Sequence, residues 1–401
     1  MSIDENANLG VWADDAFLDR LRLQGDPPAD ECFQELAPIL RVDDFRDLFR
    51  RLDRNDVTIP GDVPAPLSRY LENARMLPRL DGVPLDLARI ERGQTVFMTH
   101  LFPAVAVLLM KSLPEGYAAP NLSVVLNATG NLERRTYRRL LGVVQLLVNV
   151  SEVGGFAPGG EGLISLAKVR LLHAGVRHVV RQELPEYEAR FGVPANTEDL
   201  LGTIMGFSYL VVAGLERLRI HLNRAEAEDF YYLWRVAGSL MGIGGENDTA
   251  GDAGMPPDLK QAAVFYESYS RRHFVAAADN PAGTALARAD LEMLDRLLPQ
   301  TPLRRLGLNF VPRLFMETLM GREAMARVGI SPAPILPLTR LLIVHLPALW
   351  NRLWRRLDRL DPTGSRHAEL SARFLRDMVV QGRDGEVTFR LPDTLEEFEA
   401  L

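Results

Sequence analysis

Apolar side chains recur at three- and four-residue intervals along nearly the whole chain. Prolines and glycines fall between these stretches and not at hairpin spacing. A 3.6-residue period cannot alternate across a strand, so the expected fold class is all-α. The most apolar helices are expected over 95–113, 132–151, 163–183 and 197–222. The last opens with Asn196-Thr197-Glu198-Asp199, a capping side chain followed by first-turn acids. The one extended piece expected is 386–391. Residues 1–60 read as an N-terminal extension of short amphipathic helices. Residues 64–330 read as the main unit, with a polar loop over 244–257, and 331–401 as C-terminal helices packing on it.

The chain has 401 residues and a formal net charge of −7, which argues against a general nucleic-acid partner. Cys32 is the only cysteine, so an intramolecular disulfide and any site built on several thiolates are excluded. The opening Met-Ser-Ile-Asp-Glu-Asn has no apolar export signature, giving a cytoplasmic expectation. The apolar run Leu101–Met110 is far short of the ~20 residues that span a bilayer, so no transmembrane segment is expected.

One histidine stands on an apolar helical face. In the 163–183 stretch, Leu166, Val169, His173, Val176 and Val180 form a stripe, and Arg170 and Arg177 border His173 at i−3 and i+4. An enclosed imidazole between two cations suits a flat, anionic, metal-containing ligand. Haem fits this, since iron takes an imidazole and the propionates take positive partners. The competing reading is a core histidine bonded to a carbonyl. In the 132–151 helix, Arg139, Val143, Leu146, Leu147 and Val150 share a second stripe. It makes a candidate opposing wall, or else a core face with Arg139 snorkelling at its end.

Other chemistries find little support. His173 and His178 are five apart and face different ways, which argues against a two-histidine chelate. There is no His-Glu-x-x-His and no Gly-x-Ser-x-Gly. Gly154 to Gly162 lacks the Gly-Lys-Ser/Thr of a phosphate loop and reads as a tight connection between two helices. Glu246, Asp248 and Asp252 lack EF-hand spacing and read as a solvated turn.

Four blocks carry a family resemblance. They are Val125-Leu-Asn-Ala-Thr-Gly-Asn-Leu132, Arg138-Arg139-Leu140, the Gly-Gly-x-x-Pro-Gly-Gly of 154–160, and Val-Arg-Leu-Leu-His-Ala-Gly-Val-Arg over 169–177. The likeness continues through Thr197–Phe207 and Phe230–Arg235. This pattern resembles the latex-clearing protein (rubber oxygenase) family and the related mycophenolic-acid-pathway oxygenases.

The resemblance implies an all-α fold with a globin-like core, extra N- and C-terminal helices and bound haem b. His173 matches the proximal iron ligand, Arg177 a propionate partner, and Arg139 the opening of the distal motif. Gly142 and Val143 stand where the family's motif continues with lysine and threonine. No acid between Tyr117 and Leu132 matches the family's distal glutamate.

The implied function is a haem-dependent oxygenase or dioxygenase. It would use dioxygen on an apolar isoprenoid or lipid-like substrate. Its pocket would be lined by His173, Arg177, Arg170, Gly142, Val143 and Leu146, with Arg139 as the catalytic candidate. The alternatives are a non-catalytic haem sensor or carrier, and a haem-free helical scaffold for a hydrophobic ligand.

Overall fold

The structure is a computed structural model. It describes residues 10–40, 48–49, 51–77, 79–80, 82–128, 132–244, 254–297, 310–334, 345–349, 351–353 and 356. The fold is helical, as the periodicity requires. In chain order the helices are α1 (Asp15–Leu21), α2 (Pro27–Leu36), α3 (Ala65–Ala74), α4 (Leu87–Thr99), α5 (Leu101–Val107), α6 (Leu113–Gly116), α7 (Pro120–Ala128) and α8 (Leu132–Ser151). There follow α9 (Gly162–Glu183), α10 (Tyr187–Phe191), α11 (Thr197–Phe207), α12 (Tyr209–Arg217), α13 (Arg224–Leu240), α14 (Leu259–His273), α15 (Pro281–Leu297), α16 (Val311–Met320) and α17 (Arg322–Arg327). A two-residue antiparallel ladder, Arg79–Leu80 with Val83–Pro84, turns at Gly82, whose φ is 74°. The 386–391 piece and the loop acids Glu246, Asp248 and Asp252 lie outside the described residues.

Asx side chains start many of these helices. Asp14, Asp26, Asp86, Asn196, Asn223 and Asp258 each accept a backbone N–H of the first turn, which no residue of the helix can satisfy.

Two expected helices are broken. The 95–113 stretch divides into α4 and a second arm opening with α5, and the two arms bend by 83°. Pro103 explains the break, because it has no N–H for the carbonyl of Thr99 and its ring clashes there. A single π-turn, Leu108–Ser112, then joins α5 to α6. The 197–222 stretch is interrupted at Ser208, whose hydroxyl donates to the Ile204 carbonyl at 2.7 Å, and it ends at Arg217. Together α11 and α12 are long and apolar enough to cross a membrane by composition, yet most of that stretch is buried inside the fold.

The larger apolar core centres on α13, with Phe230, Leu233 and Trp234 meeting Phe97 of α4 and Phe207 of α11. A smaller core joins Ala29, Phe33 and Leu36 of α2 and Leu67 and Leu71 of α3 to Ile164, Ala167, Leu171 and Ala174 of α9. Helix α9 therefore has apolar partners on two sides. The opposite side carries Leu163, Leu166 and Val169 into the larger core.

Candidate functional site

Helices α8 and α9 form an antiparallel hairpin. Its connection is the glycine cluster, and the backbone shows why glycine is needed there. A Cβ on Gly155 would sit 2.3 Å from the Asn149 carbonyl oxygen, and one on Gly160 would sit 2.4 Å from that of Gly154. The carboxamide of Asn55 holds the turn. It donates to the carbonyls of Gly155 and Ala157 at 2.8 Å and accepts from Leu163 and Ile164 at the start of α9.

The hairpin's register is set by a polar tie. Asn149 of α8 donates to the Ser165 hydroxyl of α9 at 2.9 Å and to Glu161 at 3.1 Å, and Gln145 donates to Asn149 at 2.7 Å. Both helices rise about 1.5 Å per residue. Counting seven back from Asn149 and seven forward from Ser165 brings Gly142 level with Leu172, one residue from His173. On the helical wheel, His173 falls in the sector of Leu166 and Val169, and Val143, Leu146 and Val150 fall on the same flank of the hairpin. Gly142 and Leu146 are buried and Val143 is half-buried. Arg139 lies on α8, but its side chain is outside the described residues.

The imidazole of His173 is half-buried, and its Nδ1 is enclosed with no hydrogen-bond partner. Burial, reinforced by the Arg177 charge and opposed by Asp26, lowers its pKa to about 4. The ring is thus held neutral, with its lone pair available.

The two bordering arginines have carboxylate partners of the protein's own, from the N-terminal segment. Arg170 meets Asp26, the N-cap of α2, through Nε, and through Nη2 at 2.7 Å. Its guanidinium lies against Gly242, where a Cβ would come within 3.1 Å of Nε. Arg177 is fully buried. Its Nε donates to Asp30 at 2.7 Å and its Nη1 to the Ala195 carbonyl at 3.3 Å, while Nη2 is enclosed without a partner. Burial pushes the Asp30 carboxyl above its usual range against the pull of Arg177. Asp26, Asp30 and Asn55 were not visible as site residues in the sequence. The one local signal was Asp26 ahead of Pro27-Pro28, which marks a helix start.

Other candidates are accounted for. His178 packs against Phe33, 5.6 Å between ring centroids, well away from the flank of His173. Lys168 is buried and donates to the Phe49 carbonyl at 2.8 Å, and burial lowers its pKa to about 8. The thiol of Cys32 is buried and its pKa is pushed up to about 12, far from nucleophilic. Among the described residues, no three His, Cys, Asp or Glu side chains converge on a metal position.

Residues 95–381 match the family model described as "ER-bound oxygenase mpaB/B'/Rubber oxygenase, catalytic domain". The chain is 24% identical over 204 residues to the rubber oxygenase of Streptomyces sp. (strain K30), an alignment covering 50% of this chain and 48% of that protein. It thus spans about half the length of that curated relative. The fold is similar to the solved structure of the latex-clearing protein LCP in its closed state. The TM-score is 0.70 at 20% identity, with 90% of this chain and 91% of that one covered.

Proposed function

Since this chain belongs to the mpaB/rubber oxygenase family, whose catalytic-domain model it matches over 95–381, we propose that it is a haem-b-dependent oxygenase acting on an apolar, unsaturated, isoprenoid- or lipid-like substrate. The observation that carries this reading is His173, a neutral imidazole on an apolar flank whose enclosed Nδ1 has no protein partner. A neutral imidazole with no hydrogen bond to the protein is the kind of ligand a tetrapyrrole iron takes, and a histidine engaged in core hydrogen bonding would have a partner on Nδ1.

Haem, when bound, supplies the oxygen chemistry. The chain's own residues supply the surroundings. Burial keeps His173 deprotonated across the neutral range. Leu166, Val169 and Leu146 keep water from the ring's flank. Arg177 keeps one guanidinium N–H pair, on Nη2, for a carboxylate oxygen. Gly142, within one residue of the level of His173, leaves room on the opposing wall, and Val143 and Leu146 present only methyl groups to a substrate. The same apolar wall is also compatible with a haem carrier.

The absorption spectrum of the purified protein tests the reading. A Soret band is expected in the wild type, with its loss or marked shift in His173→Ala. Oxygen uptake with a panel of unsaturated isoprenoids then separates enzyme from carrier. Equal haem content and identical spectra in the two proteins would remove His173 from the proposal.

A further inference from the structure

The two arginine–aspartate pairs beside His173 are not alike. Arg170 and Asp26 meet through two nitrogens and two oxygens, and the Asp26 side chain is 4% exposed. With both Asp26 oxygens engaged, this pair serves as a strut between α9 and the start of α2. Arg177 and Asp30 share a single bond, through Nε, and the Asp30 side chain is 18% exposed. Arg177 itself is 1% exposed and keeps an enclosed, unpartnered Nη2 one helical turn from the unpartnered Nδ1 of His173. The backbone lets the acid come close. Gly25 has no side chain where a Cβ would lie 3.3 Å from Asp30 Oδ2 and 3.7 Å from Arg177 Cδ. Both acids precede the family-matched stretch.

We infer that Asp30 is an internal competitor for Arg177: a carboxylate of the N-terminal segment that a carboxylate of the incoming tetrapyrrole must share or displace at the histidine face of α9. This rests on the haem reading above and adds a regulator of that site. A buried guanidinium with one acid held through a single bond and one open N–H edge can bind a second carboxylate only against the repulsion of the first. Asp30 therefore acts through Arg177 as a positioning residue. It sets how tightly the chain holds a propionate-bearing ligand and leaves an uncharged one unaffected.

The test uses the full chain, titrated with ferric haem b and, separately, with its dimethyl ester, which lacks free carboxylates. Binding is read from the Soret absorbance. Asp30→Asn should bind haem about tenfold more tightly than the wild type and the ester equally well. Asp30→Glu, which restores the charge, should return haem affinity to that of the wild type. The ratio of the two affinities is insensitive to lost fold stability, which weakens both ligands alike. A variant that weakens haem and ester together would make Asp30 a mere anchor of α2 and overturn the inference, as would an unchanged ratio. His173→Ala is titrated alongside. If it binds haem as the wild type does, the haem reading itself fails and this inference falls with it. If only the Asp30 ratio fails to move, the haem reading stands.

Discussion

The side-chain oxygen of Asn55 accepts the backbone N–H of Leu163 at 2.9 Å, across 108 positions of sequence, and so caps the helix that carries His173. The group that orients the candidate ligand helix is thus an amide from the N-terminal region, outside the family-matched stretch. That amide also donates to two carbonyls of the glycine connection.

Asn55→Ala removes a cap and strands the buried Gly155 carbonyl, so the protein should lose about 2 kcal/mol of stability by urea denaturation. Asn55→Asp keeps the acceptor and loses the donors, and should recover part of that loss. A loss within error for Asn55→Ala would mean that water replaces the amide.

Asp199 supplies a pH dependence. It is buried at the start of α11, where its Oδ2 accepts from Asn196 at 3.0 Å and Tyr269 lies 3.3 Å from Oδ1. Burial pushes its pKa up to about 7, with His273 pulling it down and Glu198 adding to the rise. A carboxyl whose folded value exceeds its unfolded one contributes stability that is whole below the unfolded value, near 3.8. That contribution is lost as pH rises through about 7. Asp199→Asn keeps the shape and removes the titration. Its melting temperature should gain on the wild type between about pH 4 and about pH 7. A constant difference across that range would assign the titration elsewhere.

Gly93 lets α4 and α13 touch. A Cβ there would sit 2.4 Å from the Asp229 carbonyl oxygen, while Arg89 and Arg92 grip the Asp229 carboxylate at 2.8 and 2.6 Å. Backbone cannot yield as a side-chain end can. Gly93→Ala should therefore destabilise the protein by about 2 kcal/mol, despite alanine's better helix propensity. Unchanged thermal unfolding would show that α4 can slide without cost.

Gly142 is within one residue of the level of His173 on the facing helix, and the described wall around it offers no amine. Gly142→Lys should therefore convert the spectrum of the haem-loaded ferric protein to a six-coordinate low-spin form, while the wild type binds added imidazole or cyanide readily. A wild type already low-spin, with a nitrogen ligand surviving replacement of every histidine but His173, would show that another amine reaches the site.

Local order along the chain determined much of this. The bounds of α8 and α9, the flank shared by Leu166, Val169 and His173, the separate heading of His178 and the role of the glycines as a connection all follow from a 3.6-residue period and from backbone sterics. Those act between neighbours a few positions apart, so one sequence suffices to read them. The breaks at His100 and Ser208 hid inside apolar runs, because burial rewards the same residues whether a helix continues or turns. Tertiary structure alone decided what the arginines of α9 do. Arg170 and Arg177 read as free cations for a ligand because the periodicity of one helix carries no trace of an acid more than 140 positions away. Asp26, Asp30 and Asn55 reach α9 only because α2 and α3 bury their apolar faces against Ile164, Ala167, Leu171 and Ala174. That docking is non-directional and long-range. It brings charges together that no local pattern links, and in a buried place each charge must find a partner.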